Sequence, residues 1–296
     1  MSVIETKGLT KIYSNKAVLN DLSLKVEKGE VLGYLGPNGA GKTVTIRLLL
    51  GLIKSSKGSA KIFGLDVWKD KVEIHKRIAY VPGEANLWSN LTGAETLKLL
   101  SEVHGGVDEV YQKKLVKMFK FEPNKKVRNY SKGNKQKINL IAALSSRADL
   151  LILDEPTSGL DPLMEQVFRE AIFEAKKRGQ TIFLSSHILE EVETLCDRVA
   201  VLSEGKLVEL GTLQQLRHLS SVSVDATFAH KPPNVSKIKG VRNIKISGNS
   251  LHCQIRGDIS PLLKAISDAK PLTLLSREPS LEELFLSLYG ETERKR

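Results

Sequence analysis

The chain has 296 residues, of which 45 are basic and 34 acidic, and its formal net charge is +11. A hydrophobic fraction of 41% is that of a folded globular protein and excludes wholesale disorder. Two cysteines far apart, Cys196 and Cys253, exclude a disulfide-stapled secreted scaffold. Residues 1–8 lack the apolar core of a signal peptide, and the longest apolar runs, such as residues 48–53, are too short to span a membrane. We therefore expect a soluble protein with one large and one smaller domain.

An antiparallel hairpin is predicted over residues 3–26, because apolar and polar positions alternate on either side of a turn at residues 14–16. Short apolar strands and helices then alternate. The predicted strands are residues 30–35, 57–63, 77–81, 150–153, 181–185, 198–203 and 206–210. The predicted helices are residues 43–52, 92–104, 107–119, 134–146, 162–178 and 188–196. This order predicts an α/β fold with a parallel sheet and crossover helices.

The pattern changes twice along the chain. A purely helical stretch over about residues 85–147 predicts a helical subdomain inserted into the α/β core. After residue 219, the predicted strands are 223–228, 241–247, 251–256 and 271–277, and the predicted helices are 260–268 and 280–289. We therefore expect a first domain over residues 1–215 and a small α+β accessory domain over residues 220–296, joined near residues 212–222.

A phosphate-binding loop is predicted between the strand at 30–35 and the helix that follows it. Its residues are Gly36, Pro37, Asn38, Gly39, Ala40, Gly41, Lys42 and Thr43. The glycines allow backbone amides to point at phosphates, and the helix N-terminus adds its positive end. We expect Lys42 to reach the β- and γ-phosphates and Thr43 to ligate Mg²⁺. The context of strand, loop and helix disfavours a chance glycine-rich turn.

Two carboxylates follow the apolar strand at residues 150–153. Asp154 is predicted at its carboxyl end, which is where open α/β sheets bind ligands. We expect Asp154 to hold Mg²⁺, directly or through a water, and Glu155 to orient and polarise the attacking water. Together with the phosphate loop they predict an α/β core of the P-loop NTPase type.

Residues 3–215 resemble the ATP-binding subunit of ABC transporters. Five further segments bear on that resemblance, of which four match the family. Residues 130–134 lie where the family has its LSGGQ signature, and Ser131 and Gly133 keep the positions that approach the γ-phosphate of ATP bound across a dimer. Residues 158–161, with Asp161, match the D-loop. His187 matches the switch histidine, and Tyr13 matches the aromatic residue that stacks on adenine.

The sequence departs from the family at two places. Tyr130, Lys132 and Asn134 replace the Leu, the first Gly and the Gln of the signature. In the fifth segment, Gly83 stands where a glutamine normally follows the strand at 77–81, with Glu84 next. Either Glu84 takes the place of that glutamine, or the Mg²⁺ shell contains more water.

The resemblance implies ATP hydrolysis with ATP and Mg²⁺ as ligands. Glu155, His187 and Lys42 are the implied catalytic residues, and Thr43 and Asp154 the metal ligands. The residues expected to contact nucleotide are Tyr13, Gly36, Pro37, Asn38, Gly39, Ala40, Gly41, Lys42, Thr43, Val44, Ser131, Gly133 and Asp161. With one phosphate loop and one signature segment per chain, the resemblance implies a homodimer.

The resemblance also implies a separate transmembrane permease and a peripheral location on the inner face of the cell membrane. Residues 278–285 are similar to the end of exporter-type members, which favours export over import. The departure at Gly83 is similar to that of drug and antibiotic exporters, and export of a drug, an antibiotic, a lipid or an ion stays open. The alternative is an ABC-type ATPase that acts in translation or DNA maintenance. The translation type carries two ATP sites per chain and the repair type a long coiled coil, neither of which is visible in this sequence.

The positive charge is densest over residues 111–137, which hold ten basic residues and one acidic residue, Glu122. No aromatic interleaving or recognition helix accompanies it, so we expect no nucleic-acid partner. Two alternatives stay open. The lysines face an anionic membrane leaflet or acidic permease loops, or they form a solvated helix face.

Overall fold

The computed structural model describes residues 2–103, 106–218 and 222–277. The chain divides into two compact units, Met1–Leu210 and Gly211–Arg296. The sequence places the same division slightly later, between residues 215 and 220. None of the helices in the described part of the chain is long and apolar enough to cross a membrane.

The first unit contains strands and helices in alternation, as predicted. Its strands are β1 (Ser2–Tyr13), β2 (Lys16–Glu27), β3 (Val31–Leu35), β4 (Lys57–Ile62), β5 (Leu65–Asp66), β6 (Ile78–Val81), β7 (Leu150–Asp154), β8 (Thr181–Ser186), β9 (Arg198–Ser203) and β10 (Lys206–Gly211). Its helices are α1 (Lys42–Leu49), α2 (Lys71–His75), α3 (Gly93–Val103), α4 (Glu109–Met118), α5 (Lys132–Ser145), α6 (Pro162–Lys177) and α7 (Leu189–Leu195).

A six-stranded sheet in the order β10-β9-β3-β8-β7-β6 forms the centre of this unit. The pairs β9–β3, β3–β8, β8–β7 and β7–β6 are parallel. Every residue of β3, β7 and β8 is buried, as expected for strands covered on both faces. In the strand register Leu35 lies opposite Ser186, and Asp154 opposite Ser185. The three strands therefore end together at one edge of the sheet.

A second sheet, antiparallel and in the order β2-β1-β4-β5, carries the predicted N-terminal hairpin. Ser14 and Asn15 form its turn, with φ of 45° and 66°, a conformation that Asn tolerates better than most residues. The segment predicted as a strand over residues 57–63 is β4, which pairs with β1 rather than joining the parallel sheet. Apolar residues of both sheets and of α1 share one core.

The stretch between β6 and β7 is helical, as the sequence predicts, and consists of α3, α4, α5 and a 3₁₀ turn at Val127–Asn129. Asp108 caps α4, and its carboxylate accepts a hydrogen bond from the Tyr111 amide at 3.0 Å. The Arg178 guanidinium lies 3.9 Å from the centre of the Tyr111 ring. That contact attaches α4 to the end of α6.

The second unit has a four-stranded antiparallel sheet in the order β12-β13-β11-β14. Its elements are α8 (Leu213–His218), β11 (Val222–Phe228), β12 (Val241–Ser247), β13 (Ser250–Ile255), α9 (Ser260–Asp268) and β14 (Pro271–Arg277). Leu262 and Ile266 of α9 pack on one face of the sheet. The helix predicted over residues 280–289 lies outside the described residues. The predicted fold class, an α/β core with antiparallel and helical additions and an α+β unit, is confirmed.

Candidate functional site

The loop between β3 and α1 has the backbone conformation that the phosphate-loop pattern predicts. Gly39 and Gly41 have φ of 81° and 104°, in the region that only glycine adopts readily. A Cβ on Gly36 would lie 2.7 Å from the Leu202 carbonyl oxygen, so that position also excludes a side chain. Pro37, Asn38 and Gly39 are exposed, and Ala40 is buried. The loop thus offers its backbone to a ligand at the start of α1.

Lys42 is the first residue of α1, and its side chain is buried. Its ammonium group donates hydrogen bonds to the carbonyl oxygens of Gly36 at 2.7 Å and Pro37 at 3.2 Å. It also lies 3.2 Å from Oε1 of Glu155. A buried ammonium group needs such partners. The lysine therefore spans from the phosphate loop to the carboxylate after β7.

Glu155 joins two of the predicted catalytic residues. Its Oε1 faces Lys42, and its Oε2 lies 3.3 Å from Nδ1 of His187. The Glu155 amide donates to the Ser185 carbonyl at 3.1 Å, and the residue has a φ of 45°, which is unusual for a side chain of this size. Strained backbone of this kind is often found at functional sites. The structure thus brings Lys42, Glu155 and His187 together at one sheet edge.

The loop that carries His187 is held by hydrogen bonds of its neighbour Ser186. The Ser186 hydroxyl donates to Oε2 of Glu191 and accepts from the Ile188 amide at 3.0 Å. Glu191 is buried, and its other carboxylate oxygen has no hydrogen-bond partner among the described residues. Burial raises the pKa of Glu191, and the hydrogen bond from Ser186 opposes that shift. Sequence reasoning missed Glu191, because nothing in the local pattern marks it as buried.

Asp154 ends β7 and is also buried. The Ser185 hydroxyl donates to its Oδ1 at 2.5 Å. Burial raises the pKa of Asp154 above its usual range, while hydrogen bonds from Ser185 and Thr43 oppose that shift and the Glu155 carboxylate adds to it. Asp154 and Thr43 are thus neighbours, and they present a carboxylate and a hydroxyl oxygen to the same space.

An open cleft of about 530 Å³ lies beside these groups. Its lining includes Thr43, Asp154 and Glu155 together with residues that the sequence analysis did not single out as binding groups: Arg47, Tyr80, Asn86, Lys132 and Ser158. Arg47 could have been found, because it follows Thr43 by one helical turn. Asn86 and Ser158 reach the cleft through loops, whose paths the sequence does not reveal.

Gly83 lies against the end of β7. A Cβ there would approach the Asp154 carbonyl oxygen to 3.2 Å, which is tighter than an ordinary contact. Glu84 is exposed and lines the cleft, as does Asn86. The loop therefore brings two polar side chains to the cleft.

The predicted signature and D-loop segments meet each other. The Ser131 hydroxyl caps α5 by accepting from the Asn134 amide at 3.3 Å. The Lys132 ammonium donates to the Ser158 hydroxyl at 3.0 Å, and a Cβ on Gly133 would lie 2.3 Å from the Gly159 carbonyl oxygen. Asp161 caps α6 through the Met164 amide. Lys132 and Ser158 reach the cleft, whereas the lining does not include Ser131, Gly133 or Asp161.

Tyr13 and Val44 occupy different surroundings. Tyr13 ends β1 with 45% of its surface exposed, and the Lys11 ammonium lies 4.8 Å from the centre of its ring. The Lys11 ammonium thus lies over one face of the ring, and nearly half of the surface of Tyr13 is open to solvent. Val44 belongs to α1, is half-buried and packs against the core. Taken together, the fold, the loop and the cleft define a phosphate-loop nucleotide-binding protein.

Known proteins share both the sequence and the fold. The family model described as "ABC transporter" matches residues 19–158. The bacitracin transport ATP-binding protein of Bacillus licheniformis is 42% identical over 214 residues, which are 70% of this chain and 69% of that protein. The linearmycin resistance ATP-binding protein of Bacillus subtilis (strain 168) is 30% identical over 310 residues, 99% of this chain and all (100%) of that one.

A solved structure of an ATP binding subunit of an ABC transporter has 32% sequence identity and a TM-score of 0.68, covering 73% of this chain and 92% of that chain. The chain therefore belongs to the ABC transporter family, and it is an ATPase of the ABC type. The resemblance inferred from the motifs is confirmed.

Proposed function

We propose that this ATPase hydrolyses ATP at the cleft beside Lys42, Asp154, Glu155 and His187, and that it powers a separate membrane permease that exports its substrate. One observation carries the proposal for the site. Glu155 lies within 3.3 Å of both the Lys42 ammonium and the His187 ring, and it follows directly on the buried Asp154. The lysine that would bind phosphate, the carboxylate that would act on the water and the aspartate that would bind a metal thus lie together at one sheet edge.

The phosphate loop and Lys42 are proposed to hold the phosphates of ATP. The Lys42 ammonium donates to two loop carbonyls and faces Glu155, so it already lies where the γ-phosphate would bind. The phosphate would replace some of these partners as the acceptor. Loop amides and the N-terminus of α1 add further positive potential. Tyr13, with its exposed ring, is the proposed contact for adenine.

Thr43 and Asp154 are proposed to hold Mg²⁺. The described residues contain no group of three or more His, Cys, Asp or Glu side chains placed to bind a metal ion. That fits a magnesium ion held by one carboxylate, one hydroxyl and the substrate phosphates, since Mg²⁺ seldom uses an all-protein cage. When bound, Mg²⁺ would neutralise charge on the phosphates.

Glu155 is proposed to orient the attacking water and to accept its proton. His187 lies against the far oxygen of that carboxylate and would keep it turned toward the cleft. Catalysis of phosphoryl transfer depends mostly on such positioning and on charge stabilisation. The strained φ of Glu155 supports a functional position for this residue.

A homodimer is proposed to complete the site. Ser131 and Gly133 occupy the signature positions that, by resemblance to the family, approach the γ-phosphate of ATP bound to a second copy. Asp161 would contribute at the same interface. The two phosphate loops and two signature segments of such a dimer would be related by two-fold symmetry.

Export and a membrane location are proposed from the relatives. The two relatives described above are named for bacitracin transport and linearmycin resistance, and a third, 31% identical over 99% of this chain, is named for Nod factor export. We propose that this chain likewise serves an exporter on the cytoplasmic face of the membrane, with residues 211–296 as an accessory unit. Eight of the ten basic residues at 113–137 are exposed, which supports contact with acidic permease loops or anionic lipid.

Glu155→Gln tests the site, because the amide keeps the shape of the side chain and removes its basic oxygen. We expect ATP binding to persist, hydrolysis to fall by about a hundredfold or more, and dimers to accumulate with ATP in size-exclusion chromatography. Hydrolysis at the wild-type rate would refute the role of Glu155. Export is tested separately. We would identify the membrane protein that co-purifies with this chain, and we expect deletion of that membrane protein to abolish ATP-dependent efflux.

A further inference from the structure

Gln136 is a buried polar residue of α5 to which the proposed reaction assigns no role. Only 1% of its surface is exposed. Its side-chain amide nitrogen donates to two backbone carbonyls, that of Pro82 at 3.3 Å and that of Pro156 at 3.1 Å. A buried amide is tolerated only when its donors are satisfied, so these two bonds are what holds Gln136 inside the protein.

The two carbonyls belong to the two loops that border the cleft. β6 and β7 are parallel neighbours, and Pro82 and Pro156 follow their carboxyl ends. Pro82 immediately precedes Gly83, and Pro156 immediately follows Glu155. One amide group therefore bridges the loop of the missing glutamine and the loop of the proposed catalytic carboxylate.

The same end of α5 contacts the second loop at two further points. Lys132 donates to the Ser158 hydroxyl at 3.0 Å, and Gly133 lies directly against the Gly159 carbonyl. The Ser158 amide in turn donates to the Glu155 carbonyl at 3.1 Å. α5 is therefore linked to Glu155 through this turn, and Gln136 is the buried contact between the helix and both loops.

We propose that Gln136 is a positioning residue of the ATPase reaction. It holds the loop of Glu155 at a fixed place relative to the loop of Gly83, and it couples the position of Glu155 to that of α5, the helix that begins in the signature segment. The inference rests on the proposed catalytic role of Glu155. Gly83 has no side chain that could contact the opposite loop, so Gln136 supplies the side-chain bridge between the two loops.

The test uses Gln136→Met, which keeps size but removes both donors, and Gln136→Glu, which keeps shape. Gln180→Met is the matched control. Gln180 is also buried, and its amide nitrogen donates to the Ala148 carbonyl at 2.8 Å, but it precedes β8 at the opposite edge of the sheet. The purified full chain is assayed for ATP affinity, for hydrolysis at saturating ATP, and for thermal unfolding by circular dichroism.

We expect Q136M to bind ATP within about threefold of the wild-type affinity and to lose roughly tenfold to a hundredfold in kcat, because small displacements of a catalytic group have effects of that size. Q180M should unfold at a lower temperature and keep its kcat within about twofold. The buried carboxyl that Q136E introduces can donate one hydrogen bond only when protonated. Its kcat relative to wild type should therefore rise as pH falls, whereas that of Q136M should not change with pH.

Equal kcat in Q136M and wild type would overturn the inference and leave the proposed function intact. Equal loss of kcat in Q136M and Q180M would show a general effect of destabilisation and would also overturn it. If no Gln136 variant folds, the residue maintains the fold rather than the cleft, with the same consequence. If the wild-type chain itself does not hydrolyse ATP, the proposed function fails first.

Discussion

The substitution Gly133→Ala sets two known effects against each other. Gly133 is the second residue of α5, and alanine in a helix is more stable than glycine by about 1 kcal/mol. On local propensity alone, the variant should therefore be more stable than the wild type. The packing of this residue predicts the opposite.

The magnitude follows from the contact with Gly159. A Cβ at position 133 would lie 2.3 Å from a backbone carbonyl oxygen, so the two segments would have to separate by roughly 1 Å to reach an ordinary contact. A backbone atom cannot rotate away as a side chain can. Overpacking of this kind costs about 1–3 kcal/mol. After the gain in helix propensity, we expect a net loss of about 1 kcal/mol, or roughly 2–4 °C in the melting temperature of a unit of this size.

The assay is urea and thermal unfolding followed by tryptophan fluorescence. Both tryptophans, Trp68 and Trp88, lie in the first unit, so the signal reports the unit that contains Gly133. Asn134→Ala is the control in the same helix turn, since it raises helix propensity and reduces side-chain volume. A rise in the stability of G133A equal to that of N134A would refute the close packing of the signature segment on residues 158–161.

Three further predictions concern buried or capping carboxylates. The raised pKa of Asp154 means that its ionised form is disfavoured in the folded protein, so Asp154→Asn should raise the melting temperature without nucleotide at neutral pH, while hydrolysis falls by about a hundredfold or more. The folded state also holds a proton on Glu191 to higher pH than the unfolded chain does, so the stability of wild type relative to Glu191→Gln should fall as pH rises above about 4.5, as measured by thermal melts; an unchanged difference would contradict this. Asp108→Ala removes the cap of α4 and should cost about 1 kcal/mol in urea unfolding without changing ATP affinity.

Several of the basic residues that contribute to the net charge of +11 have specific partners in the structure. Lys114 pairs with Glu174 and Lys125 with Glu122, and Lys132 bonds to Ser158. The dense basic stretch is therefore not one uniform surface. Lys114 joins α4 to α6, and Lys132 joins α5 to the loop at Ser158. The exposed basic residues outside these contacts, which are the ones left for a membrane or a permease, are Lys113, Lys117, Lys120, Lys126 and Arg128.

The sequence by itself determined the features that depend on neighbouring residues. The phosphate loop, the buried strand before Asp154 and the hairpin at the N-terminus each follow from spacing, turn chemistry and burial pattern within about a dozen residues. The start of α5 differs from the prediction. The sequence predicts it at residue 134, but the helix begins at Lys132, because Ser131 caps it.

Only the tertiary structure decided which distant residues meet. The partner of β4 is β1, the neighbour of Gly133 is Gly159, and the bonds of Gln136 run to Pro82 and Pro156. These contacts join segments far apart in the chain, and they follow from how the strands are ordered in a sheet rather than from any local propensity. The residues of the site could therefore be predicted from the sequence, whereas the contacts of α5 that hold Glu155 in position could not.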